Sequence, residues 1–486
     1  MSLRRSPTPT YFTSLRLDNV RCFGQDTSLR LTDRQGLPAQ WTLILGDNGV
    51  GKTTLLQCLA WMRPVPAGDS GVEVQTDVSH FAGPPPLTKG VLAPAILREE
   101  NVVFDSLCRI DTQSTVKLRA TLSVGARLAA DPSGRSRDDV PWASIRTGVD
   151  LTFKTGRLDE DRVTPRPSIA RTLGGAFYEP LIVAYGANRQ LGTQNLANRD
   201  LDDPIASRLA GRTELYDVEE LLTALDYAAA RALAAGKSES REHRELDRFR
   251  GALARILPEA FTADDIQIFP PDVLSSGRPS GVQLDTFSGL VPLSKLSLGY
   301  QTTLSWTADL AWRLSKHYPR SENPLGEPAI VMIDEIDLHL HPLWQVRILG
   351  SLTALFPRTQ FIATAHSPLM VQVAETANLV LLRKREGDVE VVSNPHVVRT
   401  WRVDQILASE LFDVPSTRNP STEHLFARRA ELLAKSTLSR FEHRELDGIR
   451  SEIAALPTEE RPEDQQAIEL IRRAAAVIQK HRLAPA

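Results

Sequence analysis

The stretch TLILGDNGVGKTTLLQCLAWM, residues 42–62, decides the fold. Thr42–Leu45 reads as a buried strand, Gly46 to Thr53 matches the pattern G-x-x-x-x-G-K-[ST], and the residues after it have the composition of a helix. A strand that passes through such a turn into a helix is a phosphate-binding loop. Gly46, Gly49 and Gly51 let backbone N–H groups close around phosphate oxygens, with Asn48 and Thr54 as further candidate contacts. Lys52 reaches the β/γ-phosphates as a point charge, and Thr53 offers its hydroxyl to Mg²⁺.

With 486 residues there is room for more than one domain, or for one domain with a sizeable insertion. Hydrophobic residues make up 42% and charged residues 24%, which fits neither a disordered nor a membrane class. Lys+Arg 57 nearly balances Asp+Glu 60, so nucleic-acid binding would need a local basic face created by folding or assembly. Cys22, Cys58 and Cys108 are too few and too scattered for a disulfide framework or a cysteine-based zinc site, and they fit a reducing cytoplasm. No apolar run approaches the length of a membrane span.

Residues 1–11 read as a flexible tail, and 12–190 as an N-terminal lobe that contains the loop and an antiparallel accessory sheet. LRL at 15–17 and 29–31 alternates like half-buried strands ahead of the loop; after a break at GPPPL (83–87), the alternation in TVKLRATLSV at 115–124 and VDLTF at 149–153, separated by a loop at 130–141, carries that sheet. PLIVAYGANRQ (180–190) is a further strand and turn. Residues 191–285 read as a helical insertion, with helix from 213 to 257. From 286 to 400, strands with continuous apolar runs alternate with helices, which argues a parallel sheet covered on both faces. Residues 401–486 read as a helical extension. EHRELD occurs at both 242–247 and 442–447, which we read as two amphipathic helices sharing a charged phrase; duplicated docking helices are the sharper alternative.

AIVMIDEID (329–337) delivers Asp334 and Glu335 to the end of an apolar strand, where ligands of α/β sheets gather. Asp334 would hold Mg²⁺ and Glu335 would orient the attacking water. FIATAHSP (361–368) brings His366 to the same end of the sheet, toward the γ-phosphate or the water. His339 and His341 in DLHLHP lack further ligands at a zinc-like spacing. LSLGYQ (296–301) places Ser297 and Gly299 at the N-terminus of an apolar-striped helix. That is an anion site, although a simple N-cap serine reads the same way.

With these motifs in this order, roughly residues 12–395 resemble the ABC-type ATPases, in the branch containing RecF, SMC proteins and OLD-like ATPases. The resemblance implies a P-loop ATPase head of α/β class that binds ATP with Mg²⁺ and forms composite sites in a homodimer or higher homo-oligomer. Lys52, Thr53, Asp334, Glu335 and His366 would act in one subunit. Ser297 and Gly299, the signature turn, would close the site from the other, and Asp337 would be the D-loop acid crossing the interface. Arg21, in NVRCF, would lie near nucleotide. The Q-loop glutamine that reaches the metal would be Gln190 or, second, Gln57. Leu298 and Tyr300 depart from the usual signature and imply slow turnover.

DEIDLHLHP, ATAHSP and WRVDQILASELF look most like the stand-alone ATPases of bacterial anti-phage systems, Septu-type subunits among them. That likeness implies a separate effector protein, usually a nuclease; no nuclease constellation stands in this sequence. The alternative is a RecF-like repair ATPase that binds DNA itself. A transporter's nucleotide-binding subunit is poorly matched, and no membrane partner is expected.

Overall fold

The computed structural model describes residues 8–66, 73–74, 87–89, 91–97, 107, 115–125, 128, 143–154, 157–166, 168–169, 178–194, 205, 209, 211, 213–237, 240–257, 259–270, 280–385, 387–393, 401–407, 409, 412, 419–435 and 438–455. The expected tail up to residue 7, the break at 83–86, the loop at 130–141 and the end of the C-terminal extension lie outside them. The chain divides into two compact units, Met1–Phe412 and Asp413–Ala486.

The main strands of the first unit are, in chain order, β1 (Thr10–Asp18), β2 (Thr27–Arg30), β3 (Trp41–Gly46), β4 (Thr115–Val124), β5 (Ala143–Lys154), β6 (Arg157–Arg166), β7 (Leu181–Tyr185), β8 (Arg189–Gln194) and β9 (Thr213–Tyr216). They continue with β10 (Ile266–Phe269), β11 (Gly281–Thr286), β12 (Gly289–Pro292), β13 (Ala329–Ile333), β14 (Thr359–Thr364), β15 (Asn378–Arg385) and β16 (Asp388–Ser393). Its helices are α1 (Lys52–Trp61), α2 (Val218–Ala234), α3 (Arg241–Ile256), α4 (Leu298–His317), α5 (Pro342–Leu355), α6 (Pro368–Val373) and α7 (Val403–Leu407).

The central sheet has the order β7-β13-β14-β3-β15-β16, parallel except for the antiparallel last strand. Its strands are buried on both sides because their apolar runs are continuous, and the period of two sorts each run between two cores. Ala329, Val331 and Ile333 face one core with Trp41, Leu43, Leu45, Phe361 and Ala363, covered by α2 to α5. Ile330 and Met332 face the other with Ile44, Ile362, Val380 and Leu382, covered by α1 and the second sheet. Val331, Phe361 and Trp41 lie in register across three strands, and the two rings stack at 4.3 Å.

The second sheet, β6-β5-β4-β1-β2, is antiparallel throughout and is the expected accessory sheet. Every second residue of β4 is buried, as its alternation requires. β1 carries a bulge between Phe12 and Ser14. Gln360, on the central sheet and buried, answers it: its Oε1 accepts from Phe12 N–H at 2.9 Å and its Nε2 donates to Phe12 O at 2.8 Å. The side-chain amide thus serves as one rung of ladder between two sheets.

The stretch 213–257, read as helical, opens instead with β9, which pairs in parallel with β8. The insertion 191–285 also carries β10 and β11, which join β12 in a small antiparallel sheet. TELY and IQIF are too short for a period to be read against the strong helical pattern of α2 and α3 between them. The second unit contains α8 (Pro420–Ala434) and α9 (Arg440–Ala455), joined by a core of Leu432, Leu446 and Ile449. The second EHRELD copy lies on α9, where Glu445 takes a two-pronged contact from Arg428 (2.8 and 3.1 Å) and Glu442 pairs with Lys435 at 2.6 Å. The first copy lies on α3, which buries Leu246, Phe249 and Leu253 within its own unit. Among the described residues no helix is long and apolar enough to cross a membrane.

Gln360→Leu keeps the volume but leaves the Phe12 N–H and C=O buried without partners, a cost of about 2–6 kcal/mol at roughly 1–3 per group. Urea unfolding of the variant should show this loss; a change below about 0.5 kcal/mol would mean that the bulge finds other partners.

Candidate functional site

β3 ends at Gly46, whose φ of 140° only glycine adopts readily and where a Cβ would meet Leu382 O at 2.6 Å. Gly51, at φ 90°, lies so close to Cys22 that a Cβ would collide with its Sγ. Asp47, Asn48 and Gly49 between them are exposed. No side chain caps α1, so its free N–H groups are left to an anion enclosed by the loop. Lys52 is buried, and its Nζ donates to Gly46 O at 2.7 Å and Asp47 O at 2.8 Å. Burial pushes its pKa down against the pull of Asp334, Glu335, Asp47 and Asp337.

β13 brings Asp334 to this loop. Asp334 is 4% exposed, and each carboxylate oxygen accepts a hydroxyl: Thr53 Oγ1 donates to Oδ2 and Thr364 Oγ1 to Oδ1, both at 2.6 Å. Asp334 N–H donates to Tyr185 O at 2.8 Å. Glu335 follows in the left-handed region at φ 50°, where a non-glycine residue costs on the order of 1–2 kcal/mol and persists only if its surroundings hold it. They do so from both sides. Thr364 Oγ1 accepts Glu335 N–H at 2.7 Å, while Arg189 donates to Glu335 O at 2.6 Å and to Asp334 O at 2.7 Å. A third bond, from Nε to Gly186 O at 3.0 Å, fixes the guanidinium. Burial lowers the Arg189 pKa to about 10, with Asp334, Glu335 and Asp337 opposing, so it stays charged at neutral pH.

Lys52, Thr53, Asp334 and Glu335 are therefore brought together. Asp337 Oδ2 accepts His366 N–H at 2.9 Å, which ties the two next candidates to each other within one chain. Arg21 donates to Gln57 Oε1 (2.7 Å) and Thr54 Oγ1 (3.2 Å), with its guanidinium 5.8 Å from the Trp61 ring centre. Gln57 is thus engaged at the flank of α1, while the Gln190 backbone lies in β8 and its side chain lies outside the described residues.

Ser297 is the N-cap residue of α4, exposed, and its hydroxyl makes no capping bond. Gly299 is buried because the backbone of His339, itself at φ 64°, passes it: a Cβ would lie 2.5 Å from His339 O. Leu298 is 50% exposed, and Tyr300 donates to Glu259 while packing 4.6 Å from Trp344. Farther along α4, Asp309 is fully buried; it accepts from Arg313 Nε at 2.7 Å and from Tyr185 OH at 2.8 Å. α4 is thereby fastened to β7.

The donor set suits Mg²⁺. The Thr53 hydroxyl and the Asp334 carboxylate are hard oxygens already side by side, and two protein ligands leave the rest of an octahedron to water and phosphate. Among the described residues no group of three or more His, Cys, Asp or Glu could hold an ion by itself.

Thr364 and Arg189 escaped the sequence reading. Thr364 ends an apolar strand and looks like an ordinary β-former; its only signal is a hydroxyl in a fully buried run. Arg189 stands beside Gln190, the first of the two glutamines that the sequence offered for the metal.

Residues 184–371 match the family profile described as "AAA domain, putative AbiEii toxin, Type IV TA system", and residues 14–62 match one described as "AAA domain". The chain is 47% identical over 89 residues to the Retron Ec83 probable ATPase of Escherichia coli, covering 18% of this chain and 16% of that protein. It is 39% identical over 159 residues to the Septu protein PtuA of Bacillus thuringiensis, covering 30% of this chain and 40% of the relative. The matches thus span less than half of either relative's length. The SMC head domain from Thermotoga maritima aligns with a TM-score of 0.37 and 16% identity, over 79% of this chain and 99% of that one. The SMC head bound to the C-winged helix domain of ScpA aligns at 0.39 and 13%, over 79% and 98%. Two stretches of the chain thus match AAA-domain profiles, and the chain is similar to Septu proteins, as the resemblance implied, and also to retron ATPases.

Thr364→Val removes both the donor to Asp334 and the acceptor of Glu335 N–H without changing volume. We expect a loss of about 1.5–3 kcal/mol in nucleotide-free unfolding, largely recovered in Thr364→Ser. Equal stability of the valine variant would show that the hydroxyl carries neither bond in solution.

Proposed function

We propose that the protein hydrolyses ATP in the cytoplasm as the ATPase subunit of a bacterial anti-phage system, and that two copies closing around nucleotide control a nuclease effector. The observation that carries the reading is the Asp334 carboxylate bonded to Thr53, with Glu335 turned out of the strand beside it. In this reading Lys52 and the loop N–H groups hold the phosphates, while Thr53 and Asp334 hold Mg²⁺. When bound, the ion would supply charge neutralisation for the phosphates. Glu335 orients the attacking water, with His366 at its side.

The composite site is supported by Ser297, exposed and without a capping bond at the start of α4. It would serve the nucleotide of the second copy, with Gly299 allowing the close approach and Asp337 at the interface. Leu298 replaces a smaller or acidic residue and slows closure, and with it turnover. The defence role rests on the likeness to the retron and Septu proteins. The effector would be a separate protein, a reading that the likeness to the Septu proteins supports.

Phosphate release and nucleotide binding test the proposal. Lys52→Ala should lose ATP binding, whereas Glu335→Gln should bind ATP, release phosphate at least about 100-fold more slowly and accumulate as an ATP-dependent dimer by light scattering. Mixing Lys52→Ala with Ser297→Ala should restore turnover, because one of the two sites in the mixed dimer is then intact. No restoration would place Ser297 in its own subunit's site. If the isolated protein instead shows ATP-dependent, salt-sensitive DNA binding and copurifies with no nuclease, a RecF-like repair role replaces the defence role.

A further inference from the structure

Arg189 has no part in the chemistry assigned above, yet one guanidinium spends three hydrogen bonds on main-chain carbonyls. Two of these belong to the consecutive acids Asp334 and Glu335, and the third, Gly186 O, lies in the turn that Arg189 itself closes. Such a fork is suited to fixing the direction of a backbone, since its donors lie in one plane at set angles. Its partners leave Nε and one terminal nitrogen committed, so it is not poised to swing onto a phosphate. The residue it grips is the one whose φ of 50° departs from the strand. The opposite side of Glu335 is gripped by Thr364, whose hydroxyl takes its N–H and whose carbonyl takes the next N–H, from Ile336, at 3.0 Å.

We infer that Arg189 is a positioning residue for hydrolysis: by holding the carbonyls of Asp334 and Glu335 it sets the backbone angle at which the Glu335 carboxylate leaves the sheet. This rests on the proposed ATPase reading. Arg189 acts through Glu335, whose main chain it holds. Its own backbone is supported from outside the central sheet, because it opens β8 in register with Thr213 of β9, the strand that leads into α2. The angle of the water-orienting acid is therefore tied to the root of the insertion.

The experiment compares wild type, Arg189→Lys, Arg189→Gln, Glu335→Gln and the double variant Arg189→Lys/Glu335→Gln in steady-state phosphate release and in binding of a fluorescent ATP analogue. Lysine keeps the charge but cannot supply the planar fork. We expect Arg189→Lys to keep analogue affinity within about threefold, to lower kcat by at least about tenfold with KM little changed, and to add no further loss on top of Glu335→Gln. A brace with a merely structural role would instead weaken binding and turnover together, and its effect would add to that of Glu335→Gln. Arg189→Lys with wild-type kcat overturns the inference, as does an additive double variant. If Arg189→Lys fails to fold, Arg189→Gln, which retains donors, is held to the same split and the same criterion. A wild type that turns over normally while Arg189→Lys is unaffected refutes only this inference. A wild type without ATP-dependent phosphate release refutes the ATPase reading and this inference with it.

Discussion

The Asp334 carboxylate is the point on which the rest of the site is assembled. A buried negative charge is costly unless its oxygens are bonded, and here each takes a hydroxyl from a different neighbour, Thr53 after β3 and Thr364 at the end of β14. The strand β14 lies between the other two in the sheet, so one side chain fastens the ends of three strands. That fixes where the phosphate loop meets the acidic strand end. It also explains why Thr364 serves two residues, since the oxygen that donates to Asp334 is the one that accepts Glu335 N–H.

The sheet beneath this point is stabilised by an economical use of sequence. Each apolar strand supplies two cores at once, one under the helices and one under α1 and the accessory sheet. The accessory sheet is bound to it by apolar packing, by Asn378, whose Nδ2 donates to Arg30 O at 2.7 Å, and by Gln360, whose amide stands in for a ladder rung at Phe12. A polar residue in so buried a position makes the alignment of the two sheets specific, because a one-residue slip would leave four polar groups unsatisfied.

How much of this was legible depended on whether a function is carried by contiguous residues. GDNGVGKT and MIDEID announce themselves because the chemistry needs neighbours in sequence, and the parallel and antiparallel sheets followed from continuous and alternating apolar patterns. Thr364 and Arg189 were opaque because their roles arise only when β14 and β7 stand on either side of β13. The short strands β9 to β11 were lost beside the stronger helical signal of α2 and α3. Arg21 was read as close to nucleotide, and its bonds to Thr54 and Gln57 put it on the helix that follows the loop. The repeated EHRELD phrase turned out to decorate two unlike settings, one helix inside the first unit and one in a separate hairpin.

Tyr185 is gripped at both ends: its carbonyl holds the Asp334 N–H, and its hydroxyl holds Asp309, in the middle of the helix that begins at Ser297. A tilt of that helix must either drag the tyrosine with it or tear a bond from a carboxylate that water cannot reach. The helix thus behaves as a lever with a fixed pivot, and its exposed tip at Ser297 and Leu298 is geared to the strand that ends in the two acids. The tip and the main chain of Asp334 are thus joined through two residues, Asp309 and Tyr185.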